Sequence, residues 1–197
     1  MRKISKMALT ALLIGSMSFV VSCSKSKNDD VGTPTTPSLY ARLGGTTKVS
    51  DPKNPGQMIE KGRLSYRSVV DTTITLIVKD IVANKPGNFS AHFAPLVSEV
   101  SAGNTTNVAV LSKNLTDFFS ANTGGSSTNV YSGDTMHDAH NPATNPRMGT
   151  KATNANYDKF IGYVGTAAGK NGVTDQTIIN DVVTVLESLR TQVVQAP

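Results

Sequence analysis

The chain carries three histidines, His92, His137 and His140, and one cysteine, Cys23. Imidazole nitrogen and thiolate sulfur are well matched to transition metals, and imidazole also moves protons near neutral pH. His137 and His140 stand three residues apart, so on a helical turn both leave one face. A zinc site takes three or four protein ligands, and near this pair only Asp134 and Asp138 could assist. The spacing is not His-Glu-x-x-His, which argues against a zinc protease. A lone imidazole more often packs in a core or faces solvent than binds a metal, and for His137 that plain reading carries most of the weight.

A single cysteine excludes an internal disulfide, so Cys23 needs another purpose. Arg2, Lys3 and Lys6 precede an uncharged run over residues 7–21 that ends in Val20-Val21-Ser22-Cys23. At about 1.5 Å per residue the run reaches about 22 Å, short of the roughly 30 Å hydrocarbon core, which favours a cleaved export signal over a spanning helix. The Val-Val-Ser-Cys stretch resembles a bacterial lipobox. That resemblance implies cleavage after residue 22, lipidation of Cys23 and residence in the cell envelope, anchored to a bacterial membrane, with the outer membrane the expected one. Residues 23–37 then form the lipidated cysteine and a solvated tether, because 24–37 carry no apolar periodicity and two prolines.

Removing residues 1–22 from the 197 leaves 175 and takes away three positive charges and no negative one, so the net charge falls from +5 to +2. No basic cluster with interleaved aromatics replaces them, which disfavours nucleic acid as a partner. The remaining length suits one domain, residues 38–197, with enough apolar residues for a single core.

The apolar spacing predicts an all-α fold. A short helix is expected over 38–43, capped by Ser38 and stopped by Gly44-Gly45. Residues 46–63 read as an inserted, turn-rich loop. Helices are expected over 65–83, burying Val69, Val70, Ile74, Ile77, Val78 and Ile81, and over 104–121, burying Val108, Leu111, Leu115, Phe118 and Phe119. A short helix covers 135–140, and a Pro/Asn-rich loop over 141–153 is long enough to be mobile. Helices over 154–169 and 174–194 are expected to form an antiparallel pair across the Gly169–Gly172 break.

Within that frame the stretch Tyr131-Ser132-Gly133-Asp134-Thr135-Met136-His137-Asp138-Ala139-His140 resembles the proximal-histidine segment of group 1 truncated haemoglobins. Leu39-Tyr40-Ala41-Arg42-Leu43-Gly44-Gly45 is similar to that family's opening helix, Phe89-Ser90-Ala91-His92-Phe93 to its haem-packing phenylalanine segment, and Leu115-Thr116-Asp117-Phe118-Phe119 with Gly124-Gly125 to its distal helix. In order, these cover most of residues 38–194. The resemblance implies a two-over-two helical sandwich and a non-covalent, b-type haem. It places His140 on the iron and Phe93 against the porphyrin; Ile74, Leu111 and Leu115 line the ligand side, and Phe119, Phe160 and Val164 pack the pocket. The implied partner is a diatomic gas, oxygen, nitric oxide or carbon monoxide, and the reductase is unknown. No Cys-x-x-Cys-His occurs, so covalent c-type attachment is excluded.

Two departures bear on function. Ile74 stands where the family usually has a tyrosine that donates a hydrogen bond to the gas, and losing that bond predicts oxygen loss faster by roughly 10-fold or more. The insertions at 46–63 and 141–153 exceed the family's usual length, and the second could admit His92 or His137 as an extra ligand. Three functions follow: oxygen binding in transport or sensing, a nitric oxide-detoxifying haem enzyme, or a haem-free interaction lipoprotein on the same scaffold.

Overall fold

Ser38 opens the folded part of the chain: its hydroxyl accepts from the Ala41 amide at 3.2 Å and caps α1 (Leu39–Arg42). Gly44 at φ +117° then stops that helix, a backbone angle open to glycine and strained for other residues. The computed structural model describes residues 36–196. The expected export signal, Cys23 and the tether up to residue 35 lie outside the described residues. No helix among the described residues is long and apolar enough to cross a membrane.

Between α1 and the next helix the expected loop is instead a hairpin. β1 (Lys48–Ser50) pairs antiparallel with β2 (Met58–Glu60), Val49 facing Ile59. Three-residue strands are too short to show alternation, which is why the spacing read as loop. Asp51 ties the hairpin down, since its buried carboxylate takes both arms of Arg67 at 2.6 and 3.0 Å.

α2 (Lys61–Val82) starts four residues before the expected Ser65 and buries Tyr66, Val70, Thr73, Ile74 and Ile77 along one stripe. α3 (Ser90–Ser101) is a helix the spacing did not predict. It contains Pro95; the chain kinks at Phe93 (φ −117°, ψ 20°), so the proline falls in the first turn after the kink, where no amide is needed. α4 (Thr106–Ser120) follows, with Asn104 accepting from the Thr106 amide at 3.0 Å, and runs into a π-helical turn over Ala121–Gly125.

α5 (Met136–Ala139) is one turn long, capped by Thr135. α6 (Asn154–Lys170) opens with a reciprocal capping box between Thr153 and Asn156, at 3.2 and 3.0 Å. α7 (Gln176–Val193) starts at Asp175, whose carboxylate accepts from the Thr177 amide at 2.8 Å, as the Thr174-Asp175 start signal predicts.

α2 is the central element: it packs on α4 and also on α6, while α6 packs on α7, α3 leans on α4, and α5 rests on α7. Tyr40, Tyr66, Val70, Ile74, Phe119, Val164 and Leu186 make the main core. Leu186 is 1% exposed, and complete burial of such a side chain contributes about 1.5–3 kcal/mol. The α4 side of the α2 contact is a seam of small buried residues, Ser112, Thr116 and Ser120, one turn apart; Ser112 donates to Asp71 on α2 at 2.5 Å. Small side chains let the two backbones approach.

Candidate functional site

His140 ends α5, and its ring is fixed by its own helix. Nδ1 lies 2.8 Å from the Met136 carbonyl oxygen. A carbonyl only accepts, so Nδ1 carries the hydrogen and Nε2 keeps a bare lone pair. Burial is the main cause that lowers the His140 pKa below the usual histidine value, and the nearby charge of His92 lowers it further, against the opposing pull of the Met136 carbonyl. The ring is therefore a neutral imidazole with one nitrogen free to donate electrons. That is the state a metal requires of histidine, including the second hydrogen bond that usually orients the ring.

His92 repeats the arrangement from another element. It sits in the first turn of α3, only 7% exposed and edge-on to Phe89 at 5.7 Å. Its Nδ1 is 3.2 Å from the Thr150 carbonyl oxygen and donates to it. No protein group satisfies either Nε2 among the described residues, and neither atom is among the sealed, unpaired polar atoms of the interior. His137 differs: it is exposed and pairs with Asp138 at 3.1 Å.

Thr150 belongs to the 141–153 loop, which was expected to be mobile. The structure pins it instead. Arg147 grips Glu99 of α3 through both nitrogens at 2.9 and 2.8 Å, and Gly149 lies so close to α3 that an added Cβ would stand 2.0 Å from the Ala91 carbonyl oxygen. Further along, Ala152 bridges to Val194, and Gln195 donates to the His137 carbonyl oxygen at 2.7 Å. The loop is a strap that starts at His140, meets α3 at Glu99 in its last turn and at Ala91 and His92 in its first, and returns beside α5.

The apolar residues expected around the ring fall on two hollows. Ile74, Phe93 and Leu111 line the first, about 440 Å³ between α2, α3 and α4 with its open mouth included. Leu115, Phe119, Phe160 and Val164 line the second, about 830 Å³, reaching from α4 across α2 to α6 and α7. His140 lines neither hollow. α4 links the two sets, because Leu111 and Leu115 are one turn apart on it. Phe93, Leu111, Leu115 and Phe160 are only half-buried, whereas Ile74, Phe119 and Val164 are buried. Among the described residues no extensive contact joins α4 to α5 or to α6. The half-buried Leu111, Leu115 and Phe118 of α4 pack against the edge of the main core, Leu111 toward α2 and α3 and Leu115 toward α2 and α6.

Beside Ile74, α2 offers no free hydroxyl. Thr73 donates to the Val69 carbonyl oxygen at 2.9 Å and Thr75 to that of Asp71 at 2.8 Å, so neither hydroxyl turns toward Ile74. Spacing also missed a second polar centre, where Glu60 accepts from Tyr40 at 2.5 Å, Thr128 at 2.9 Å and Asn129 at 3.1 Å. These residues lie 20 to 69 positions apart, so no local pattern could announce them.

No protein-family model matches the chain, and no curated protein matches it. Its own residues define the class: a mostly helical protein in which His92 and His140 each donate through Nδ1 to a backbone carbonyl.

Proposed function

We propose that the folded part binds haem through His140 and takes up a diatomic gas at the iron, in the manner of a truncated globin with α2 and α4 crossing over α6 and α7. Bound haem would supply an iron with four porphyrin nitrogens, leaving one position for an imidazole and one for the gas. The observation that carries this reading is the His140 ring, neutral and held at Nδ1 by the Met136 carbonyl so that Nε2 is free. The shortage of protein donors is compatible with this reading: no group of three or more His, Cys, Asp or Glu side chains among the described residues could hold a bare ion, whereas a porphyrin brings its own donors.

Each part of the chain then has a task. His140 holds the iron; Phe93 packs the ring; Leu111 and Leu115 exclude water from α4, and Phe119, Phe160 and Val164 fill behind them. With Ile74 apolar and Thr73 and Thr75 bonded to their own helix, nothing on α2 holds a gas by hydrogen bonding. Rapid release follows, which suits transport or sensing better than storage and makes nitric oxide removal the less favoured chemistry. The lipidated Cys23 would keep the domain at an extracytoplasmic membrane surface.

A second reading has one observation in its favour. Because His140 lines neither hollow, the same scaffold could serve as a haem-free interaction lipoprotein. Titrating the full-length chain with haemin separates the two. Stoichiometric uptake with a Soret band that is lost or shifted in His140→Ala is the expected result; a colourless protein, or uptake indifferent to that substitution, rejects the haem reading.

A further inference from the structure

The larger hollow lies away from His140, and the chemistry of its walls limits what it can hold. It measures about 830 Å³ with its open mouth included, inside the roughly 300–1,000 Å³ of small-molecule sites. It is lined from Phe160 to Ala168 on α6 and from Ile178 to Leu186 on α7, with α2 and α4 closing the other sides. Each span is about two turns, so the hollow runs about 12 Å along both helices.

No free polar side chain faces it. Only Ser65, Tyr66 and Thr73 bring side-chain polar atoms to the wall, and all three are committed elsewhere. Ser65 donates to the Leu43 and Lys61 carbonyl oxygens, each at 3.0 Å, and Thr73 to that of Val69 at 2.9 Å. The Tyr66 hydroxyl shares a 2.7 Å hydrogen bond with Thr123. A guest that carried a polar group inward would give up its water partners and find no others. An apolar guest loses nothing and gains dispersion contacts with every wall.

Two features show where such a guest has room. Ile178 and Val182 share the inner stripe of α7 with the buried Leu186, yet both are only half-buried. Gly165 lines the hollow on α6 and is exposed, which puts it at the mouth, and nothing lies within 4 Å of where its Cβ would stand. Glycine weakens a helix interior, and here it leaves the entrance open.

We propose that this hollow receives one unbranched hydrocarbon chain, the tail of a free fatty acid or of a phospholipid, with the head group left in water at the mouth. At about 1.5 Å per carbon–carbon bond in a zigzag, roughly ten carbons span the hollow. A protein held at a membrane by Cys23, as proposed above, meets such chains as its commonest apolar solute. Burial of apolar surface drives the binding, and the site needs neither iron nor His140.

The test titrates the full-length chain, free of haemin, with decanoic acid and separately with didecanoylphosphatidylcholine, each below its micelle-forming concentration. Calorimetry and the thermal midpoint are the readouts. Saturation at one chain per protein with a raised midpoint is expected. Gly165→Leu fills the mouth and should weaken binding about tenfold or more, whereas Gly162→Leu, on the same helix with equally open space but off the hollow, should bind as the native protein does. Both substitutions raise the helix propensity of α6, so a difference between them reports on the hollow alone. Uptake of the acid only identifies the free fatty acid as the source; uptake of the phospholipid with the same sensitivity to Gly165→Leu identifies the membrane lipid. Absence of saturable binding by either probe overturns the proposal, as does binding that the two glycine variants change equally or leave unchanged.

Discussion

A buried carboxylate decides how the protein responds to acid. Burial pushes the Glu60 carboxyl up, but hydrogen bonds from Tyr40, Thr128, Asn129 and Lys48 outweigh it and hold the group down at about 2, below the ordinary 4.5. The folded chain therefore binds fewer protons than the unfolded one in this window. Its contribution to stability is complete above pH 4.5 and declines as pH falls toward about 2. Tyr40 mirrors it: burial and Glu60 raise its hydroxyl to about 12 from 10.0, so that contribution is present below pH 10 and lost as pH rises through 12. Urea unfolding of Glu60→Gln should show a shallower loss of stability between pH 4.5 and 2 than the native chain, and an unchanged slope would remove Glu60 from the account. Single residues were unevenly legible in sequence. His140 stood out through its neighbours and His92 only as a candidate extra ligand beside the 141–153 insertion, whereas the carbonyl that orients His92 lies 58 residues away, beyond any local pattern.

At the level of elements, those with strong ends or long apolar stripes were readable. The cap at Ser38, the Gly44 stop, the Asp175 start and the body of α2 all lie where spacing put them. The hairpin and α3 were not readable, since three-residue strands have no period to detect and Pro95 argues against a helix unless the kink at Phe93 is known. The strap was misjudged for a different reason: composition reports that a segment lacks a core, not that its surface contacts hold it. Arg147, Gly149 and Thr150 do hold it, and the closest contact is with backbone that cannot swing aside. Gly149→Ala should therefore lift the strap from α3, lower stability by about 1–3 kcal/mol and speed proteolytic cleavage between residues 141 and 152. Unaltered melting and cleavage in that variant would mean the strap relaxes at no cost.

Across the whole molecule, the fold class was the most legible feature, since long stripes at helical spacing leave few alternatives to a mostly helical body. The packing of helix on helix was the least, because which faces meet is set by residues far apart in the chain. The placement of α2 has one more consequence. A helix covered on two sides by α4 and α6 loses its amide protons to solvent only when the whole domain opens, whereas α5 buries no residue and can open alone. In heavy water, deuterium should appear first along residues 136–139, before the pinned strap, and last in the middle of α2, and uniform labelling of all three would contradict this. A large flat guest could thus come and go through the α5 side while the central helix keeps the rest of the chain assembled.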